Sequence, residues 1–207
     1  MNSINFSQMI KDYDPIIYRG TVSQKLFSLL EEYTNTFSKT MIVRFDTTYP
    51  KNFMAVEDNS DMSVLMKLLI QQCSRNGVSP AYFWVREQSI RSDNQHYHCM
   101  LLLDGNKTCR YYPYIELAEK IWGRILGVNP KGLVHYCDRG PDGNRQANGI
   151  ILRSDDLNYE DKIEAVVRQA MYMAKVHTKG FYNDGFRDFG MTRISSIPLL
   201  RKKFRGN

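Results

Sequence analysis

The sequence predicts an α+β domain built on a ferredoxin-like, split βαβ sheet. Apolar residues alternate between helical and strand spacing in the order α-β-α-β-β-α-β-α. The inner β-α-β-β-α-β portion is the split βαβ pattern, which gives an antiparallel sheet with helices on one face. The last helix is left over, so it is free to cross the open face of the sheet.

Each element has its own signal. In TVSQKLFSLLEEYT (21–34), Val22, Leu26, Leu29, Leu30 and Tyr33 share one helical face, and Thr21 or Ser23 can cap it. TMIVRFDTT (40–48) is rich in β-branched and apolar residues and reads as a strand that the Tyr49-Pro50 step ends. A second helix starts at Asp61 and stops near Gly77. AYFWVREQS (81–89) and HYHCMLLLDG (96–105) read as two strands of an antiparallel hairpin joined by IRSDNQ, the second ending in an Asp-Gly turn. YIELAEKIWGRILG (114–127) is an amphipathic helix ending at Gly127, and KGLVHYC (131–137) reads as a strand. After a polar Gly-rich loop, Ile150 and Ile151 begin a short extra strand. The clearest helix follows at 159–177, capped near Asn158. The expected organisation is an N-terminal helical appendage (1–37), a core (38–178) and a basic, aromatic C-terminal segment (179–207).

Composition narrows the function classes. The chain has 207 residues and is 43% hydrophobic, enough for one cored domain and too apolar for disorder. No run approaches the roughly 20 apolar residues of a membrane span. The polar opening MNSINFSQMIKDYDP does not read as an export signal, so a cytoplasmic location and no membrane partner are expected. Cys73, Cys99, Cys109 and Cys137 form no CxxC pair and read as reduced thiols. A formal charge of +6 favours polyanionic partners, nucleic acid first.

His96-Tyr97-His98 is the strongest local feature. Strand side chains alternate, so the two imidazoles share a face and suit a divalent metal. Glu87, near the end of the preceding strand, falls roughly opposite them and would complete a mixed nitrogen and oxygen set; Gln88 or Gln95 could serve instead. Tyr172 and Lys175 lie three apart in the last helix, and Arg168 lies four residues upstream. A phenol with an ordinary pKa of about 10 is a weak nucleophile, and such cations would favour its anion or hold a phosphate beside it. Arg44 and Asp46 share a face of the first strand, with Arg44 a candidate DNA contact. His135 and His177 carry no pattern of their own.

These motifs together resemble those of HUH endonucleases, the Rep-type initiators of rolling-circle replication, and more closely the inovirus-type replication proteins and related phage and prophage proteins. The resemblance rests on VRFDTTYP (43–50), WVREQS (84–89), HYHCMLLLDG (96–105), YMAK (172–175) and FGMTR (189–193), which looks like the short basic segment after the tyrosine helix. It implies an HUH fold and a DNA endonuclease and strand transferase. Glu87, His96 and His98 would hold Mg2+ or Mn2+ against the scissile phosphate. Tyr172 would attack, leaving a 5′-phosphotyrosyl link and a free 3′-hydroxyl, with Lys175 beside it. No second tyrosine lies one turn away, since Arg168 and Val176 stand there, so a single-tyrosine mechanism is expected. The implied partners are single-stranded DNA or an origin hairpin and a separate host or phage helicase, since no phosphate-cradling GxxxxGK[ST] loop is present. Lys179, Arg187 and Arg193, interleaved with Phe181, Tyr182, Phe186 and Phe189, supply the cations and rings of a single-strand groove. The alternative from another class is a non-catalytic single-strand-binding module of the same fold.

Overall fold

The computed structural model describes residues 20–56, 58–87, 94–140, 142–175 and 185–197. Gln88, His177 and Lys179, and most of the aromatic tail, lie outside the described residues.

The elements in chain order are α1 (Gly20–Thr36), β1 (Lys39–Thr47), α2 (Ser60–Arg75), β2 (Ala81–Glu87), β3 (His96–Asp104), α3 (Tyr112–Leu126), β4 (Val134–His135), β5 (Ile150–Arg153), α4 (Tyr159–Ala174) and β6 (Phe189–Met191). The strands form one sheet in the order β4-β1-β3-β2-β6, and every pairing is antiparallel. The β4-β1-β3-β2 order is that of a split βαβ, ferredoxin-like α+β fold.

Strand parity divides the core in two. Ile42, Met100, Leu102, Ala81, Phe83 and Val85 project to one face and pack with Leu26, Leu30 and Tyr33 of α1 and Ile163, Val166 and Ala170 of α4. Met41, Val43, Cys99, Leu101, Leu103 and Trp84 project to the other face, against Leu65, Met66 and Leu69 of α2 and Ile115, Ala118 and Trp122 of α3. Helices therefore cover both faces of the sheet. The last helix does cross the face left open by α2 and α3, and it does so beside α1, the described part of the N-terminal segment.

The structure departs from the sequence expectations in three places. The strand expected over 131–137 shrinks to Val134–His135, because β1 shares that edge between β4, opposite Asp46 and Thr47, and β5, opposite Lys39 to Ile42. At Arg44, between those stretches, the Asn148 side chain takes the place of a strand: it accepts from the Arg44 N–H at 2.9 Å and donates to the Arg44 carbonyl at 2.7 Å. Second, α4 ends at Ala174 rather than 177, with Lys175 in an extended conformation. Third, FGMTR is partly a strand: β6 pairs with β2. Gly190 permits this pairing, since a Cβ there would lie 2.5 Å from the Trp84 ring.

α3 shows the local rules most plainly. Pro113 occupies its first turn, where a missing N–H costs nothing. Gly127 ends it at φ +67, a left-handed conformation that side chains with a Cβ rarely adopt. No helix among the described residues is long and apolar enough to cross a membrane.

Candidate metal and nucleophile site

The candidate residues gather at one end of the sheet, where β1 and β2 finish and β3 begins. Register explains the gathering: Glu87 pairs with His96, and Asp46 pairs with His98. The parity that sends Ile42, Val85 and Met100 toward α1 and α4 also sends Arg44, Asp46, Glu87, His96 and His98 to that face.

Glu87 is buried, and its Oε2 lies 2.6 Å from His98 Nε2 and 3.6 Å from His96 Nε2. The imidazole rings of His96 and His98 stand edge to face, with centroids 5.2 Å apart. Ligand atoms of the three residues fall within 4.8 Å of one another. Burial would raise the Glu87 carboxyl, but hydrogen bonds and charge from His96 and His98 outweigh it and hold the group well below the usual carboxylate range. Two imidazoles and an ionised carboxylate on rigid strands fit a divalent cation. Gln95, the other amide weighed for this place, is committed elsewhere. Its Nε2 donates to the Val56 and Asp58 carbonyls and to the Tyr97 hydroxyl.

Asp46 backs His98. Its Oδ1 lies 2.9 Å from His98 Nδ1, so the ring is held between two carboxylates. Burial pushes Asp46 up, but the hydrogen bond from His98 and the charges of His98 and Arg44 bring it down to about 2. With Nδ1 facing Asp46, Nε2 is the nitrogen that faces the Glu87 side of the site.

Tyr172 reaches the same place from α4. Its ring meets the His98 ring edge to face at a centroid distance of 5.3 Å. The Arg44 guanidinium lies 4.2 Å from the centroid of the same ring and donates to Asp46 at 3.1 Å. The tyrosine nevertheless keeps 47% of its surface exposed, so the phenol is held by contacts on one side and open on the other. The open side is a cavity of about 300 Å³ lined by residues including Arg44, His135, Cys137, Arg139, Arg168 and Tyr172.

The remaining candidates are placed less tightly. Arg44 is buried under the Tyr172 ring, with its guanidinium turned to Asp46. Arg168 is exposed at the cavity, one helical turn before Tyr172, and pairs with Glu164 at 2.6 Å. Lys175 does not share a helical face with Tyr172. The helix has ended there, and its backbone N–H caps the Tyr172 carbonyl at 3.3 Å. Arg187 and Arg193 are exposed around β6, across the sheet from Arg168. His135, a lone histidine with no sequence pattern, lies directly opposite Asp46 by register.

Over residues 7–192 the sequence matches the YagK/YfjJ C-terminal domain. The chain belongs to this family. The matched span takes in every described strand and helix and all the residues gathered at the site, except the last turn after β6. No curated protein matches the chain. Among solved structures, the N-terminal nuclease domain of the minute virus of mice non-structural protein-1 aligns over 84% of this chain and 79% of its own. The identity is 12% and the TM-score 0.27. That structure is described as having a unique Zn2+ coordination in its active-site pocket and a novel mode of DNA recognition at the origin of replication. A likeness this distant carries nothing about the chemistry of the YagK/YfjJ domain.

Proposed function

We propose that this YagK/YfjJ domain cuts and rejoins single-stranded DNA through a covalent link to Tyr172. The observation that carries the reading is the edge-to-face contact of the Tyr172 and His98 rings at 5.3 Å. It puts an exposed phenol next to a buried imidazole and carboxylate and a partly exposed second imidazole, on elements far apart in the sequence.

Glu87, His96 and His98 would hold Mg2+ or Mn2+. When bound, the ion supplies Lewis-acid polarisation of a phosphate oxygen. Asp46, beside Nδ1, would orient the His98 ring so that Nε2 faces Glu87 and the ion. Arg44 fixes the plane of the Tyr172 ring from one face, so the phenol oxygen needs little reorientation to attack. In that attack the oxygen–phosphorus bond to tyrosine forms and the bond from phosphorus to the 3′-oxygen breaks. The phenol proton ends on the released 3′-hydroxyl, and the 5′-phosphate stays on the protein. The reverse step joins ends without an outside energy source. Arg168, Arg187, Arg193 and Lys179 would hold phosphates of the flanking strand. One tyrosine suits initiation of rolling-circle replication of a phage, prophage or satellite element, at an origin strand or hairpin opened by a separate helicase.

The test is a denaturant-resistant protein–DNA adduct formed on single-stranded oligonucleotides with Mn2+. Wild type should form it; Tyr172→Phe and metal-free protein should not. Cleavage that persists in Tyr172→Phe would point instead to an activated water. Strand binding without cleavage under any metal would favour a non-catalytic binding module.

A further inference from the structure

We propose that Asp46, His135 and Cys137 form a second cation site, suited to zinc, whose fourth position opens into the cleft beside Tyr172. This site shares no ligand with the Glu87, His96 and His98 set, though Asp46 touches His98, and it does not depend on the DNA-cutting reading.

One oxygen, one nitrogen and one sulfur ligand atom from these residues lie within 4.8 Å of one another. His135 Nδ1 and Cys137 Sγ are 3.4 Å apart. Two such ligands on a tetrahedral zinc, with bonds of roughly 2.0 and 2.3 Å, stand about 3.6 Å from each other. The pair is thus already near its bound separation. Cross-strand register sets the third member, since Asp46 lies directly opposite His135.

The turn that presents the thiol is built rather than incidental. Cys137 has φ +51, a left-handed conformation uncommon for a residue with a Cβ. Gln146 holds the turn by donating to the Cys137 carbonyl at 2.9 Å and the Arg139 carbonyl at 3.1 Å, and Asn148 donates to the Tyr136 carbonyl. Backbone strain of this sort persists where the surroundings over-determine it, and it clusters at binding sites.

The donor set selects the metal class. Thiolate and imidazole favour zinc over magnesium, while the Glu87 set has no sulfur. Binding would exchange the thiol proton of Cys137, released to solvent, for a metal–sulfur bond. A divalent ion with one thiolate and one carboxylate is neutral in sum, which leaves the charge of Arg44 beside Asp46 as the net charge of the cluster. Asp46 can keep its bonds to His98 and Arg44, because a carboxylate offers about four lone-pair positions. Arg44, Asp46, His135, Cys137, Arg168 and Tyr172 all line the same cavity, so the open position faces a space that takes water or a phosphate oxygen.

The test is a Co2+ titration of the reduced full chain without DNA, reading the thiolate-to-cobalt charge-transfer band and displacing it with Zn2+. A stoichiometric band is expected in wild type and in Glu87→Gln, with none in Cys137→Ser. His135→Gln, at an exposed side chain, should weaken binding by about tenfold or more. It keeps the test decisive if Cys137→Ser fails to fold. No band in wild type, an unchanged band in Cys137→Ser, its loss in Glu87→Gln, or unaltered affinity in His135→Gln would each overturn the proposal. Adduct formation with Mn2+ is a separate readout, so failure of one reading does not imply failure of the other.

Discussion

His98 and His96 lie two residues apart and share a face, yet they do different structural work. His98 is buried and stands between Glu87 at 2.6 Å and Asp46 at 2.9 Å, whereas the His96 side chain is 25% exposed. In metal-free protein, His98→Ala leaves the buried Glu87 and half-buried Asp46 carboxylates with one fewer donor and should cost about 1–3 kcal/mol. His96→Ala should stay within about 0.5 kcal/mol. Urea unfolding with a chelator present compares them, and equal losses would remove His98 from its central place. Tyr97 is the complementary case. A bulky polar residue between two histidines is a poor core residue on sequence grounds, but its ring is fully buried on the other sheet face. Its hydroxyl accepts from Gln95 at 3.0 Å and donates to Asn59 at 3.1 Å. Tyr97→Phe should cost about 1 kcal/mol of stability, since one buried hydrogen-bond chain is cut while Gln95 keeps its carbonyl partners. It should leave metal affinity unchanged, which a titration in both proteins checks. Strand parity made the His96 and His98 pairing readable from sequence. It also put Arg44 and Asp46 on one face, but not which face, because that depends on which helices cover the sheet.

At the scale of elements, the edge of β1 was the least readable part. KGLVHYC carries a full strand's worth of β-branched and apolar residues, yet two residues pair and the chain then turns at Cys137. The reason is tertiary: β5 competes for the same edge, and Asn148 bridges the gap with its side chain. A strand-like amide in a Gly-rich loop has no periodic signature. Asn148→Ala would leave the Arg44 N–H and C=O unpaired in the sheet, a loss of about 1–3 kcal/mol. Arg44 and Asp46 sit at that point of β1, so the same change should also lower adduct yield by loosening the contact under Tyr172. Unfolding and adduct assays on one preparation test both, and a variant with full stability and yield would show the bridge to be dispensable. The end of α4 was likewise hidden. Apolar periodicity continues past Ala174 without a glycine or proline to stop it, and the helix nevertheless gives way to an extended Lys175. Delivery of Tyr172 from the last full turn follows from that ending. It was the helix, rather than its exit, that the sequence made legible.

The arrangement of charge over the whole molecule extends this logic to the DNA path. Arg139 and Arg168 border the cavity on the β4 side of the sheet end, and exposed Arg187 and Arg193 flank β6 at the opposite edge. Tyr172 stands between the two groups, above the start of β3. A single strand lying across the sheet end would meet Arg139 and Arg168, then the phenol, then Arg187 beyond the β2–β6 edge. Arg193 lies instead beside Tyr82 at the other end of β2. A net charge of +6 would draw such a strand in from any direction, so the prediction must separate a path from general attraction. Each phosphate contact on single-stranded DNA contributes about 0.7 to the slope of log affinity against log salt. Arg168→Ala and Arg187→Ala, each made in a Tyr172→Phe background, should therefore each flatten that slope by about 0.7, and the double variant by about twice that. Lys107→Ala, an exposed charge in the turn after β3 at the other end of the sheet, removes the same unit of net charge and should leave the slope nearly as it was. If all three single variants changed the slope alike, the attraction would be diffuse and the path across the sheet end would have to be abandoned. If only Arg168 mattered, the strand would enter through the cavity and leave without touching β6.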